Sequence, residues 1–227
     1  MTTHVALLGH PVSHSLSPRM QNAAFAASRL DWHYSAFDVE DPVAAVAALR
    51  ELGFAGANVS IPHKQAVVAV CDEADGEAVN TLLLRDGRVV GVNTDRDILA
   101  GIAATRACVI GGGGAALTLG PTLPADTRFF SRRGAWPPNA EGCDLIVNAT
   151  PVRDELFVAP RRGQPVVDLA YAGGDAETVL VAAARAAGCE VVDGLEALVR
   201  QGAKSFELWT GVAAPVEVMR DAVRSGP

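Results

Sequence analysis

The segment NVSIPHK, residues 58–64, combines the end of a short strand pattern with a proline and then a lysine. Proline has no backbone N–H to donate to a neighbouring strand, so it ends the strand before it. The segment therefore predicts that the ammonium group of Lys64 lies at the edge of a sheet.

On both sides of this segment, short apolar runs alternate with helical patterns. In the first hundred residues we predict strands at 4–8, 33–39 and 57–60 and helices at 18–28, 43–52 and 65–71. This βαβαβ order favours a sheet with parallel strands and helices on its faces. Farther on, Asp86 and Gly87 separate two apolar runs, which is a strong hairpin signal. Asp95 is expected to cap a helix at 98–104.

A second alternating series has predicted strands at 107–110, 127–130, 144–147, 166–169 and 190–192 and helices at 176–187, 195–210 and 215–224. Prolines and glycines between residues 120 and 142 leave no room for a full helix between the second and third of these strands. We therefore predict an α/β fold with two domains. The first spans residues 1–100, and the second begins at about residue 101, in or just after the helix predicted at 98–104.

Composition excludes several classes of protein. The net charge is −7 and no Lys/Arg cluster is present, so neither nucleic acid nor an anionic membrane is an expected partner. The four cysteines are scattered, without CxxC pairs or histidines at ligand spacing, which indicates neither a disulfide framework nor a metal site. No signal-peptide pattern or long apolar run is visible, so we expect a cytoplasmic protein. Whether it is a monomer or a homodimer stays open.

Lys64 and Asp95, with Asn80 between them in sequence, are candidates for acid–base chemistry. An opposite charge keeps a lysine protonated and burial lowers its pKa, so a lysine balanced between the two can pass a proton to or from a hydroxyl. From spacing alone, a solvated lysine and an ordinary capping aspartate are the favoured interpretation.

The segment GHPVSHSLSPRMQN, residues 9–22, predicts an anion site at a helix start. Ser17 is expected at the N-cap with Pro18 as the first helical residue, and Ser15 lies just outside. Two hydroxyls and free backbone N–H groups at the positive end of a helix would stabilise a substrate carboxylate. Alternatively, Ser17 only caps its helix.

The run VIGGGGAA, residues 109–116, follows a predicted strand and fits a dinucleotide-binding turn, although a plain flexible turn is the alternative. About twenty residues later Ser131, Arg132 and Arg133 stand where an NAD-preferring site would carry an acidic residue. Arginine can bind a 2′-phosphate, so NADP is favoured over NAD unless these are solvated loop arginines. The strand end in DLIVNATP, residues 144–151, is a further candidate for the ligand-binding edge, or a polar turn.

Taken together, these motifs resemble the shikimate dehydrogenase family over nearly the whole chain. The matching segments are GHP with HSLSP at residues 9–18, NVSIPHK at 58–64, GEAVNT with one extra residue at 76–81, GVNTD at 91–95 and LVRQGAKSFELWTG at 198–211. The resemblance implies NADP-dependent, reversible reduction of 3-dehydroshikimate to shikimate in the pathway to chorismate and the aromatic amino acids. A quinate-using relative and a non-catalytic shikimate-binding protein with an eroded cofactor domain are the alternatives.

The resemblance also implies roles for individual residues. Lys64 would transfer the proton and Asp95 would support it. The substrate would contact Ser15, Ser17, Ser60, Asn80, Tyr171 and Gln201. The cofactor would be bound by Gly111, Gly113, Gly114, Ala115, Ser131, Arg132, Arg133, Asn148, Thr150 and Gly194.

The chain departs from the family in its second half. Ser131-Arg132-Arg133 replaces the usual Asn-Arg-Thr, and the segment that follows is much shorter than in relatives. In the first motif, Gln21 stands where histidine is usual, and Ala197 replaces a common methionine. The resemblance therefore implies a substrate-binding domain at 1–100, completed by C-terminal helices at about 204–227, and a shortened Rossmann-like cofactor domain at 101–203. The expected activity depends on this shortened domain.

Overall fold

A computed structural model describes residues 1–171 and 177–225 of the chain. The described residues form two compact units. The first unit contains residues 1–97 and 199–225, and the second contains residues 98–198. No helix in the described part of the chain is long and apolar enough to cross a membrane.

The first unit is built on a six-stranded mixed sheet. Its strands are β1 (Thr3–Gly9), β2 (Trp32–Asp38), β3 (Gly56–Val59), β4 (Glu73–Ala74), β5 (Thr81–Arg85) and β6 (Arg88–Val92). The strand order is β2-β1-β3-β5-β6-β4, and β1 pairs with β2 and β3 in parallel as predicted. The antiparallel hairpin of β5 and β6 is also confirmed, with Asp86 and Gly87 both at positive φ in its two-residue turn.

Two α-helices follow the first two strands of this sheet, α1 (Ser17–Ala27) and α2 (Pro42–Glu51). Asp41 caps α2, because its side chain accepts hydrogen bonds from the N–H groups of Val43 and Ala44. The segment predicted as a helix at 65–71 is a short 3₁₀ helix, Ala66–Val70. One apolar core cluster of the unit lies between strands β1, β3, β5 and β6 and helix α2.

The second unit has a five-stranded sheet in which every neighbouring pair is parallel. Its strands are β7 (Arg106–Ile110), β8 (Asp126–Phe130), β9 (Leu145–Asn148), β10 (Val166–Asp168) and β11 (Val191–Val192), in the order β11-β10-β9-β7-β8. Its α-helices are α3 (Gly114–Leu119) and α4 (Val179–Ala186). Residues 131–144, between β8 and β9, contain no helix, as the prolines and glycines predicted. The Rossmann-like fold class is confirmed.

Helix α5 (Gly194–Thr210) begins in the second unit, and its residues from Val199 onward belong to the first. Helix α6 (Val216–Arg224) follows it. In the first unit the ring of Phe206 stacks on Phe25 of α1, and the Trp209 Nε1–H donates to the Leu82 carbonyl at 3.0 Å. The return of the C-terminal helices to the first sheet is therefore confirmed.

Three local predictions were wrong. Asp95 does not cap a helix at 98–104, because its carboxylate is bonded to other side chains and it lies inside a 3₁₀ helix, Thr94–Leu99. Ser17 is not the N-cap of α1 but its first residue, and Leu16 precedes it without a capping side chain. Helix α4 begins at Val179, where Thr178 caps it, and not at residue 176. Residues 172–176 lie outside the described part of the chain.

Candidate active site

Lys64 and Asp95 form an ion pair in the first unit. The Lys64 Nζ donates to Asp95 Oδ2, and the two side chains are 14% and 8% exposed. The loop after β3 carries the lysine, and the aspartate follows β6. A buried ion pair is costly unless further hydrogen bonds satisfy both partners, so the remaining contacts of the carboxylate matter.

Asn80 supplies such a contact. Its Nδ2 donates to Asp95 Oδ1 at 2.7 Å, and its own Oδ1 accepts from the Thr94 backbone N–H at 2.8 Å. The same Nδ2 lies 3.4 Å from Gln201 Oε1 on α5. Four side chains predicted from the sequence as site residues are thus joined in one hydrogen-bonded group.

Behind this group lies a buried polar cluster that the sequence interpretation missed. Asn58 Nδ2 donates to Thr81 Oγ1 at 3.0 Å and to Ser205 Oγ at 2.9 Å, and its Oδ1 accepts from the Tyr34 hydroxyl at 2.8 Å. Thr94 Oγ1 completes the cluster, 3.2 Å from Thr81 Oγ1. Because these groups are almost fully buried and hydrogen-bonded to one another, they hold β3, β5 and α5 together. The available signal was the polar residues inside otherwise apolar segments.

Ser15 and Ser17 lie together at the start of α1. The Ser15 hydroxyl accepts the backbone N–H of Ser17 at 3.2 Å, so Ser15 takes the capping role that was expected of Ser17. The loop before them is anchored by Asp38, whose Oδ1 lies 2.5 Å from His10 Nδ1. The hydrogen bond with Asp38 raises the pKa of His10. Ser60 lies at the base of this loop, with its Cβ 3.3 Å from where a Cβ on Gly9 would be.

The second unit contains a groove of about 450 Å³ at the carboxyl ends of its strands. It is lined by glycine backbone and by side chains from the ends of β8 and β9, namely Gly111, Gly112, Gly113, Phe130, Ser131, Arg132, Arg133, Trp136, Thr150, Val152 and Phe157. This edge of a parallel sheet is where doubly wound folds bind ligands. Six of the predicted cofactor residues line this groove.

Only glycine fits at position 111. Its φ is +124°, and a Cβ there would lie 2.9 Å from the Ala149 carbonyl oxygen. The chain can therefore turn tightly from β7 into the loop before α3. A glycine loop of this form lets a phosphate approach backbone N–H groups closely.

Arg132 projects from the end of β8 and is held on two sides. Its guanidinium carbon lies 5.5 Å from the centroid of the Trp136 ring, and its Nη2 donates to Glu155 Oε2 at 3.0 Å. Trp136 in turn meets Phe157 edge to face, with the ring centroids 5.3 Å apart. Trp136, Phe157 and Glu155 were not identified from the sequence. Glu155 and Phe157 are more than twenty residues from the arginine, whereas Trp136 follows it by four residues.

Asn148 holds the turn after β9. Its Oδ1 accepts the Thr150 hydroxyl at 2.7 Å, and its Nδ2 donates to Asp168 Oδ1 at 2.9 Å. Burial raises the pKa of Asp168, although hydrogen bonds from Thr178, the Ala170 N–H and Asn148 oppose that rise. Asn148 itself is buried and positions Thr150, which lines the groove.

The remaining predicted residues lie elsewhere in the second unit. Gly114 and Ala115 are the first two residues of α3, and Gly194 is the first residue of α5. Tyr171 directly precedes the residues that the structure does not describe. In residues 1–171 and 177–225, no group of three or more His, Cys, Asp or Glu side chains is arranged to hold a metal ion.

Comparisons with known proteins show the family to which the chain belongs. Residues 7–82 match the family model of the shikimate dehydrogenase substrate binding domain, and residues 194–224 match that of the shikimate 5′-dehydrogenase C-terminal domain. The NADP(+) shikimate dehydrogenase of Moorella thermoacetica is 39% identical, with 97% of this chain and 92% of that protein covered. That of Methanopyrus kandleri is 38% identical, with 98% and 95% covered.

The crystal structure of shikimate 5-dehydrogenase from Thermus thermophilus, in complex with NADP(H) and shikimate, is similar over 98% of both chains. Its TM-score is 0.84 and its sequence identity is 31%. The alignment with the Moorella protein spans 273 positions, whereas this chain has 227 residues. This chain therefore has gaps at 46 or more positions of the alignment (273 − 227).

Proposed function

Because this chain belongs to the shikimate dehydrogenase family, we propose that it catalyses the NADP-dependent, reversible reduction of 3-dehydroshikimate to shikimate. The observation that carries the proposal is the hydrogen-bonded group of Lys64, Asp95, Asn80 and Gln201 in the first unit. The group contains an ammonium donor that is hydrogen-bonded to a carboxylate. Reduction of a carbonyl requires such a donor, because the carbonyl oxygen must be protonated.

Lys64 is the proton carrier in this proposal. In the direction of reduction, its ammonium group donates a proton to the carbonyl oxygen of the substrate, which becomes a hydroxyl. Asp95 keeps the lysine oriented and offsets its charge, and solvent returns the proton afterwards. In the direction of oxidation, the neutral amine of Lys64 accepts the hydroxyl proton.

Substrate binding is assigned to polar side chains of the first unit and to one residue of the second. The two serines at the start of α1, Ser15 and Ser17, would hold the substrate carboxylate. Side chains that bind hydroxyls would be Ser60, Asn80 and Gln201. Tyr171 of the second unit is assigned as a further substrate contact by resemblance.

NADP(H), when bound, supplies or accepts the hydride. The residues present fit this cofactor, because the Gly111 turn leaves open backbone where a pyrophosphate would lie and Arg132 and Arg133 line the same groove. Arg132 would bind the 2′-phosphate, with Arg133 beside it. Asn148 would act through Thr150, and Gly113, Gly114, Ala115, Ser131 and Gly194 complete the assigned set.

The proposal is tested by adding shikimate and NADP+ to purified protein and following the absorbance of reduced nicotinamide. We expect turnover with shikimate, and quinate in place of shikimate serves as the test of substrate preference. Absence of turnover with both NADP+ and NAD+ would overturn the enzymatic assignment. A cytoplasmic location and a monomeric or homodimeric state stay predictions from the sequence.

A further inference from the structure

The carboxylate of Glu155 is paired with Arg132, the residue proposed to bind the 2′-phosphate of the cofactor. Glu155 Oε2 accepts a hydrogen bond from Arg132 Nη2 at 3.0 Å, and Arg132 lines the groove together with Arg133. A guanidinium that already holds a carboxylate is partly neutralised toward a second anion. The position of Glu155 therefore bears on which cofactor the groove favours.

The ion pair contributes little to folding. The Arg132 and Glu155 side chains are 68% and 51% exposed, and exposed pairs of this kind add little to stability. Such a weak pair opens at small cost when a stronger anion arrives. A phosphate monoester carries roughly 1.5 to 2 negative charges near neutral pH, so it is the stronger competitor for Arg132.

Arg132 has a second contact, which would remain without the Glu155 carboxylate. Its guanidinium lies over the Trp136 ring, and Phe157 supports that ring edge to face. Cation–π stacking of this kind fixes the plane of an arginine while its N–H groups stay free to bind an anion. Loss of the Glu155 charge would thus leave the arginine in place and remove a repulsive neighbour.

We propose that Glu155 is a selectivity-determining residue that competes with the 2′-phosphate of the cofactor for Arg132 and so reduces the preference for NADP over NAD. The inference rests on the proposed NADP-dependent function. When the 2′-phosphate is absent, Glu155 and Arg132 keep each other paired. When it is present, the phosphate displaces Glu155 against the repulsion of the displaced carboxylate.

The test uses the full chain and two fragments of the cofactor, adenosine 2′,5′-bisphosphate and adenosine 5′-monophosphate, in titration calorimetry. For Glu155→Gln we expect the bisphosphate to bind about three- to tenfold more tightly than it binds wild type, with the monophosphate unchanged within about twofold. The gain should shrink when salt rises from about 0.05 M to about 0.5 M, because salt screens charges at an exposed site.

Asp154→Asn is the matched control, since it removes the same unit charge at the adjacent, exposed position. It should change bisphosphate affinity much less than Glu155→Gln does. Equal effects of the two variants, no effect of Glu155→Gln, or weaker binding of the bisphosphate by Glu155→Gln would each overturn the inference. If wild type binds neither fragment and shows no turnover with NADP+, the proposed function itself fails, which separates the two results.

Discussion

The two units hold their functional side chains in opposite ways. In the first unit, Lys64 and Asp95 are nearly buried, and hydrogen-bonded polar groups surround the carboxylate. In the second unit, the groove is lined by glycine backbone and by side chains such as Arg132, which is 68% exposed. The first site depends on many buried partners at once, and the second on the ends of a few strands.

This difference bears on which segments of each unit can be short. Buried polar groups are costly when they lose a partner, so a site like that of Lys64 tolerates little change in the segments around it. A groove at the carboxyl edge of a parallel sheet needs the strands β7, β8 and β9 and the turns that follow them. The helix-free connection at 131–144 preserves all three strands.

The largest expected effect is on turnover in the first unit. Lys64→Ala should lower kcat by roughly 10²- to 10⁴-fold with a much smaller change in KM, because it removes the proposed proton carrier. Steady-state kinetics with shikimate and NADP+ measures this. Lys204→Ala is the matched control, since Lys204 is the chain's other lysine and is 43% exposed. Turnover of Lys64→Ala close to that of wild type would refute its role.

Substitutions in the buried polar cluster of Asn58, Thr81, Thr94, Ser205 and Tyr34 should lower the free energy of unfolding. Asn58→Ala removes donors and an acceptor from Thr81, Ser205 and Tyr34, and we expect it to lower the free energy of unfolding by about 2–4 kcal/mol. Tyr34→Phe removes one of these bonds and should cost about 1 kcal/mol. Urea unfolding compares the two. Equal costs would mean that the cluster does not act as a unit.

A substitution of Arg132 in the second unit should change the affinity for the cofactor and not the rate of the chemical step. Arg132→Ala should weaken NADP+ binding about 10- to 100-fold, the loss expected for charge-assisted hydrogen bonds to a phosphate, and should leave NAD+ binding nearly unchanged. Calorimetry with both cofactors measures the difference. A similar loss for NAD+ would assign Arg132 to the adenosine or pyrophosphate instead of the 2′-phosphate.

The smallest effect concerns Asp144, which holds the start of β7 to the segment before β9. The Thr105 hydroxyl, with the N–H groups of Thr105 and Arg106, lowers the pKa of Asp144 to about 2. Because the folded pKa lies below the ordinary value of 3.8, this stabilisation is present above pH 3.8 and is lost as the pH falls toward about 2.

Asp144→Asn should therefore cost about 1 kcal/mol at neutral pH, and the difference from wild type should shrink below about pH 3.8. Urea unfolding across this pH range tests the sign. Asp126→Asn serves as the control, because its carboxylate pairs with Arg106 at an exposed position and should change stability by less than about 1 kcal/mol. A pH-independent cost for Asp144→Asn would contradict the assignment.

Features that depend only on residues adjacent in the sequence were predicted correctly. Asp86 and Gly87 produced the expected hairpin because a two-residue turn selects residues that tolerate positive φ. The helix that was predicted to be capped by Asp95 does not form, because the Asp95 carboxylate is hydrogen-bonded to Lys64 and Asn80, which are distant in the sequence. Local patterns cannot report such partners.

The same limit applies to the candidate sites. Lys64, Asp95 and the glycine loop stand in recognisable motifs, so they were identified. Thr81 and Ser205 meet although 124 positions separate them, and Arg132 pairs with Glu155 across 23 positions. Contacts of this kind follow from tertiary structure and leave no spacing pattern in the chain.

Helix α5 has a consequence for how the protein is made. The first unit is assembled from both ends of the chain, since residues 199–225 belong with residues 1–97. A nascent chain that ends before residue 199 carries Lys64 and Asp95 but lacks Gln201, Ser205 and Trp209. During translation, residues 98–198 of the second unit are therefore synthesised before the first unit has its complete set of contacts, and the hydrogen-bonded group of Lys64, Asp95, Asn80 and Gln201 is completed late.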